Sequence, residues 1–79
     1  MHNNSLLPLS EVPIGASARV KQLYSIGSIR RRMLDLGLIL NTEIEVLQKS
    51  PSGDPIAYQI RGAVIALRKE ESSNILVEV

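Results

Sequence analysis

The strongest constraint on the fold is a set of short segments in which apolar and polar residues alternate. Glu43–Val46 alternates strictly, and Ile56–Arg61, Ala18–Leu23 and Ile75–Val79 follow the same pattern. Alternation puts the apolar side chains on one face of a half-buried strand. Ala63–Arg68 is instead a nearly continuous apolar run, which predicts a central strand covered on both faces. The chain is therefore expected to form about five short strands.

One short helix is predicted between the first two strands. Ser28 suits the N-cap position, the helix is expected over Ile29–Leu36, and Gly37 fits the left-handed residue that closes a last turn. Its apolar face carries Ile29, Met33 and Leu36. Two turns are too few to be stable alone, so the helix must cover a sheet. The predicted fold class is mainly β, a small SH3-like barrel of about five strands with one short α-helix.

Length and composition favour one small domain. The chain has 79 residues, 44% of them hydrophobic, and only two tyrosines as aromatics. Residues 1–8 are predicted to form a disordered or frayed N-terminal tail, and residues 9–79 the domain. No apolar run approaches the roughly 18 residues of a membrane span, and the N-terminus lacks the pattern of a signal peptide. Together with the absence of cysteine, these features predict a cytoplasmic protein.

The residue types argue against catalysis and against a metal or other cofactor. The single histidine, His2, falls in the predicted tail, and there is no cysteine to act as a nucleophile or thiolate ligand. Two carboxylate pairs, Glu43 with Glu45 and Glu70 with Glu71, are better explained as solvated surface. We therefore predict no enzyme, no cofactor and no resident metal.

Three consecutive arginines, Arg30 to Arg32, raise the alternative of a nucleic-acid-binding barrel. Such barrels usually stack bases on aromatic side chains in a basic groove. The net charge here is only +1, which favours a solvated helix face in which Arg31 can pair with Asp35 one turn later. Among binding roles, an acidic patch on a protein is favoured over phosphate.

The loop after the helix is unusually apolar. Leu36 is followed by Gly37, Leu38, Ile39 and Leu40, and a two-turn helix has little room to cover all of them. Exposed aliphatic side chains beside a cleft mark a partner site. Alternatively, these side chains plug one end of the barrel. Both interpretations stay open, with Leu38 the residue most expected to be buried.

Several motifs in order resemble those of a known family. They are Arg30–Leu38, then Thr42–Val46, then Pro51–Ile56, with Gly15–Val20 before them and Ile65–Arg68 after them. Their order and spacing are similar to the FeoA family, small proteins of bacterial ferrous iron uptake, over about Leu9 to Val79. The loop departs from the family pattern at Leu40-Asn41, where a Pro-Gly type of turn is common.

The resemblance implies an SH3-like barrel that acts as an accessory or regulatory partner of FeoB, the membrane transporter with a cytoplasmic GTP-binding domain. A further alternative is a FeoA-type domain acting as a metal-responsive regulator, since such domains also occur in iron-dependent repressors. Membrane contact would be only indirect, and self-association through the apolar loop is plausible. The partner-binding surface is predicted to contain Arg31, Arg32, Leu36, Leu38, Ile39, Leu40, Gly53 and Asp54.

Overall fold

The computed structural model describes residues 6–79. The elements in chain order are β1 (Leu6–Pro8), a 3₁₀ turn (Leu9–Glu11), β2 (Ser17–Leu23), α1 (Gly27–Asp35), β3 (Glu43–Lys49), β4 (Ile56–Ile60), β5 (Ala63–Leu67), α2 (Lys69–Ser72) and β6 (Ile75–Glu78). The predicted mainly β class with one short helix is confirmed, with the single turn of α2 added.

The strands form one antiparallel sheet of six, in the order β1-β6-β2-β3-β4-β5. The prediction that Ala63–Leu67 is a central strand covered on both faces is wrong. This segment is β5, at the end of the sheet, and Val64 on it is 65% exposed. A continuous apolar run can arise in an edge strand that is only partly covered, and alternation alone cannot exclude that case.

The N-terminal strand β1 corrects part of the predicted tail. Leu6, Leu7 and Pro8 pair with Glu78, Val77 and Leu76 of β6, so these three residues belong to the sheet. Leu7 also packs against the core, and its apolar contact with the core explains why the chain is ordered here. Residues 1–5, the rest of the predicted tail, lie outside the described residues, as does His2.

The core lies on the inner face of the curved sheet. Alternate residues of the strands are buried there, in the register that the sequence pattern predicts: Ala18 and Val20, Ile44 and Val46, Ile56, Tyr58 and Ile60, and Ile75 and Val77. The same cluster includes Leu67 of β5, Met33 of α1, Leu9 of the 3₁₀ turn, and Val12 and Leu38 from the loops. The intervening Glu43 and Glu45 are exposed, as the pattern predicts.

Helix α1 begins earlier than predicted. Ile26 is the N-cap residue, its side chain makes no capping bond, and the Arg30 amide donates to the Ile26 carbonyl over 3.3 Å. Ser28 therefore lies within the first turn and is not the cap. Of the predicted apolar face, Met33 is fully buried, whereas Ile29 is 48% exposed. Within residues 6–79, no helix is long and apolar enough to cross a membrane.

Candidate partner-binding groove

The end of α1 determines which apolar loop residue is buried. Gly37 has φ +95°, and its amide donates to the Leu34 carbonyl (2.9 Å) while the Leu38 amide donates to the Met33 carbonyl (3.1 Å). This pair of bonds is the Schellman motif, in which the second residue past the helix packs against the last turn. Leu38 and Met33 are both buried in the core cluster. Leu38 is thus a core residue, as expected for the most buried residue of the loop. It also lines the groove described below, so its part in partner binding stays a prediction.

Ile39 and Leu40, the next two residues, lie on the outside. Ile39 is 49% exposed and Leu40 65% exposed. The loop that carries them is held by Thr42, whose hydroxyl donates to the Gly37 carbonyl (2.8 Å) and accepts from the Ile39 amide (3.3 Å). These short-range bonds fix the loop backbone, so the exposed aliphatics are presented with little further ordering.

Strand β2 holds the far side of the loop. The Asn41 amide donates to the Val20 carbonyl (2.7 Å), and the Val20 amide donates to the Thr42 carbonyl (2.9 Å). Asn41 has φ +71°, a conformation that Asn tolerates better than most residues, as expected for this turn. Lys21 donates to the Asn41 side-chain oxygen over 2.7 Å. Loop and strand therefore form one rigid wall.

Between this wall and α1 lies an open groove of about 410 Å³. Its apolar lining includes Leu23, Leu34, Ile39 and Leu40, and its basic lining includes Lys21 and Arg30. We call this the helix–loop groove. The Arg30 guanidinium donates to the carbonyls of Leu23 (2.9 Å) and Ser25 (3.4 Å), which ties the helix to the end of β2. An apolar channel with cationic sides suits a partner segment that is apolar and acidic.

A shallower depression on α1 extends the helix–loop groove. It shares Arg30 and Leu34 with the groove and adds Gly27, Arg31 and Asp35. These five positions follow the i, i+3, i+4, i+7, i+8 spacing of one helix face. That spacing was visible in the sequence, and it could have identified Arg30 and Leu34, which the predicted surface omitted.

The other predicted surface residues lie elsewhere or are partly covered. Arg32 forms an ion pair with Glu71 of α2. Leu36 is half-buried and packs against the core. Asp54 accepts a hydrogen bond from the Lys69 amide over 2.9 Å, at the start of α2, and its neighbour Gly53 has φ +90° in the β3–β4 connection. The structure thus places Leu38, Ile39 and Leu40 in the lining of the groove and Arg31 in the adjoining depression. Arg32, Gly53 and Asp54 make local structural contacts instead.

The ion pairs differ from the expected one. Across residues 6–79 they are Arg32 with Glu71 and Lys21 with Glu78, and the expected pair of Arg31 with Asp35 is absent. In the same part of the chain, no three histidine, aspartate or glutamate side chains come together in a group suited to a metal ion.

The titration behaviour of one core residue is unusual. Burial raises the pKa of Tyr58 above its ordinary value of 10.0, the nearby Asp54 carboxylate adds to the rise, and Ser72 opposes it. The Tyr58 hydroxyl is buried without a hydrogen-bond partner among the described residues, and the Ser72 hydroxyl donates to the Lys69 carbonyl (3.4 Å) instead. Tyr58 belongs to β4, its side chain is buried in the core, and it does not line the groove.

Comparison with known proteins gives a consistent result. The family model for the FeoA domain matches residues 7–79. The chain is 34% identical over 71 residues to an Fe(2+) transport protein A/Fe(2+) transporter FeoB fusion protein of Porphyromonas gingivalis, an alignment that covers 90% of this chain and 8% of that protein. The chain thus corresponds to a small fraction of that relative.

Solved structures show the same fold. A FeoA-like protein from Clostridium acetobutylicum superimposes with a TM-score of 0.86 and 40% identity, over 94% of this chain and 86% of that one. Zinc-complexed FeoA of Stenotrophomonas maltophilia, described as a prokaryotic SH3 domain protein, superimposes with a TM-score of 0.81 and 31% identity, over 90% of this chain and 88% of that one. The predicted SH3-like fold is thereby confirmed.

Proposed function

Because this chain belongs to the FeoA family, whose role is in ferrous iron transport, we propose that it is a regulatory binding module for the cytoplasmic part of a FeoB-type transporter. The observation that carries the proposal is the pair of exposed aliphatic side chains, Ile39 and Leu40, on a loop held rigid beside α1. The module acts by binding, without a catalytic step or a cofactor, and it works in the cytoplasm, reaching the membrane only through its partner.

The relatives support this choice of partner. In the Porphyromonas protein, an FeoA segment and a FeoB transporter are parts of one chain. Fusion of two domains raises their effective concentration to the millimolar range, which favours interactions that are weak between separate chains. The FeoA domain of this chain would make the same contact with its transporter.

The groove suits a weak and reversible interaction. Complete burial of an Ile or Leu side chain contributes about 1.5–3 kcal/mol, and association costs at least about 4 kcal/mol in lost translational and rotational freedom. Ile39 and Leu40 start about half and two thirds exposed, so they can supply only part of that amount. Charge attraction to Arg30 and Arg31 would add to affinity and accelerate encounter with an acidic segment, whereas Lys21 contributes less because it already pairs with Glu78.

The direct test is a titration with the cytoplasmic segments of the FeoB transporter from the same organism. We expect Ile39→Asp to weaken binding by at least about tenfold, because it places a desolvated charge in the apolar channel. The matched control is Ile14→Asp, at an aliphatic residue that is 52% exposed and outside the groove lining. Both variants should keep the wild-type free energy of unfolding within about 0.5 kcal/mol.

Equal affinity of Ile39→Asp and wild type would rule out the groove as the contact. Self-association through the groove is the competing use of the same residues. In that case wild-type protein would sediment as a dimer, Ile39→Asp would sediment as a monomer, and the transporter segments would not bind.

A further inference from the structure

Arg30 is held in place beside the helix–loop groove by the protein backbone. Its Nη1 atom donates to the carbonyls of Leu23 (2.9 Å) and Ser25 (3.4 Å) at the end of β2. Within residues 6–79, its Nε and Nη2 atoms make no hydrogen bond. These two atoms form the edge of a guanidinium that matches the two oxygens of a carboxylate. Arg30 thus combines a fixed position with a free carboxylate-binding edge.

Two of the neighbouring cations are already engaged. Lys21, on the opposite wall of the groove, donates to the Asn41 side-chain oxygen (2.7 Å) and lies 3.5 Å from a Glu78 carboxylate oxygen. Arg32 forms an ion pair with Glu71 of α2. A partner carboxylate would have to compete with these contacts, so neither side chain is a ready binding group.

Arg31 has the opposite property, because no contact holds it. It lies in the adjoining depression with Asp35, outside the groove lining, and neither ion pair of residues 6–79 includes it. An arginine without fixed contacts must lose rotamer freedom when it binds a ligand. Arg30 has lost part of that freedom in the free protein, and such preorganisation favours affinity.

The electrostatics of the groove favour a negative group at Arg30. The basic residues of its lining are Lys21 and Arg30, and none of the described residues that line it is acidic. Glu78 offsets the charge of Lys21, and Asp35 lines only the depression. Arg30 therefore supplies the net positive charge of the groove, and a carboxylate bound there meets no like charge in the lining.

The groove has a basic end and an apolar end. Arg30 bonds the Leu23 carbonyl at the end of β2, whereas the groove loop donates a backbone bond to the Val20 carbonyl nearer the middle of the strand (2.7 Å). Those two strand residues are about 10 Å apart along β2. A partner carboxylate on Arg30 would therefore lie about three extended residues, or two helical turns, from partner side chains that cover Ile39 and Leu40.

We infer that Arg30 is the specificity-determining residue of the helix–loop groove and that its Nε and Nη2 atoms bind a side-chain carboxylate of the partner. The inference rests on the proposed function for the identity of the partner, and it adds which chemical group of that partner is recognised. Contact with Ile39 and Leu40 provides apolar burial, and the pair of bonds from Arg30 selects segments that carry an acidic residue at the matching distance.

The probe is a blocked, symmetrical peptide, acetyl-Leu-Ile-Ser-Ser-Glu-Ser-Ser-Ile-Leu-amide, titrated into ¹⁵N-labelled full-length protein. Its symmetry allows binding in either direction, and its blocked ends leave the Glu side chain as the sole carboxylate. Millimolar peptide should shift the resonances of the Arg30 Nε–H group and the Ile39 amide. The same peptide with Gln at the centre should bind about tenfold more weakly, the ratio expected when one charge-assisted contact is lost.

The variants separate recognition by Arg30 from its structural contact with β2. Arg30→Lys keeps the charge but loses the planar pair of donors, and it should bind the Glu peptide about fivefold more weakly. Arg31→Lys is the matched control and should stay within about twofold of wild type. In Arg30→Gln the affinity ratio of the Glu and Gln peptides should fall to about one, because the group that distinguishes them is gone. A purely structural role would weaken both peptides equally and leave the ratio unchanged.

Three results would overturn the inference. They are equal affinity of the two peptides for wild type or no shift with either, an unchanged ratio between them in Arg30→Gln, and a loss in Arg31→Lys as large as that in Arg30→Lys.

Titration with the cytoplasmic segments of the transporter distinguishes failure of the inference from failure of the proposed function. If the peptides behave as expected but the transporter segments do not bind, the proposed partner is wrong and the role of Arg30 stands. If the segments bind and are weakened by Ile39→Asp but not by Arg30→Gln, the partner is right and the role of Arg30 is wrong.

Discussion

Leu38 and Leu40 are the same residue type in one loop, yet they have opposite roles. Both line the helix–loop groove, but Leu38 is 1% exposed and packs into the core, whereas Leu40 is 65% exposed. The backbone on either side of them is fixed by Gly37, which closes α1, and by Thr42, whose hydroxyl donates to the Gly37 carbonyl. The backbone conformation after α1 thus sends one leucine of this loop into the core, where it stabilises the fold, and leaves the other on the surface, where it is available to the proposed partner.

The largest expected effect is on the buried member of the pair. Leu38→Ala should lower the free energy of unfolding by about 2–5 kcal/mol, because truncation leaves a cavity among closely packed side chains. Urea denaturation measures the loss, and Leu40→Ala is the matched control, expected to change stability by no more than about 0.5 kcal/mol. Equal losses of stability in the two variants would show that Leu38 and Leu40 do not differ in their contribution to the core.

Gly37, the glycine that precedes both leucines, is the next test. Gly37 has φ +95°, and a Cβ added there would lie 2.1 Å from the Arg61 Cδ atom. Gly37→Ala should therefore lower the free energy of unfolding by about 1–2 kcal/mol for the left-handed conformation alone, and further where the Arg61 side chain cannot move aside.

Arg61→Asn provides the control for the Gly37 variant. Asn tolerates the positive φ of Arg61 and removes the long side chain that crosses Gly37. Gly37→Ala should consequently cost less in the Arg61→Asn background than in wild type, as measured by a double-mutant cycle in urea. An identical cost in both backgrounds would mean that the contact with Arg61 does not restrict position 37.

The smallest expected effect is on the pH dependence of stability, through the buried core residue Tyr58. Since burial raises the pKa of Tyr58 above 10.0, folding is favoured fully below pH 10 and this contribution is lost as pH rises through the higher folded-state pKa. Tyr58→Phe should stay within about 1 kcal/mol of wild type at pH 7, because the hydroxyl has no partner to lose.

Above pH 10 the wild type should lose stability faster than Tyr58→Phe. Urea denaturation at a series of pH values measures the difference between the two slopes. If the free energies of unfolding of the two proteins fell in parallel above pH 10, Tyr58 would not have a raised pKa in the folded state.

Much of the fold could be predicted from the sequence, because strand alternation and the glycine after α1 are local signals. The inward residues of β3 and β4, such as Ile44 and Tyr58, were identifiable from period-two spacing alone. The order of the strands could not be predicted in this way. The apolar run of β5 therefore predicts a central strand, although β5 forms an edge. Pro8 and its neighbours were assigned to a tail because three residues are too few to show alternation.

Only part of the candidate site could be predicted, because the sequence shows which residues are apolar but not which helix face stays exposed. Ile39 and Leu40 stood out as apolar residues in a loop, but Arg30 and Leu34 lay within a helix whose buried face was assigned to Met33 and its neighbours. Arg32 could not be separated from Arg31 by sequence, since only α2 packing beside it turns Arg32 toward Glu71.

The sequence by itself determined the mainly β class, the FeoA family, the position of the helix and the closing glycine, because each rests on contacts between residues close in the chain or on motif order. Tertiary structure decided which strand became the open edge and which of two adjacent arginines paired with Glu71 of α2. Those outcomes depend on which residues from distant parts of the chain pack against a segment. The local sequence of the segment does not specify those residues.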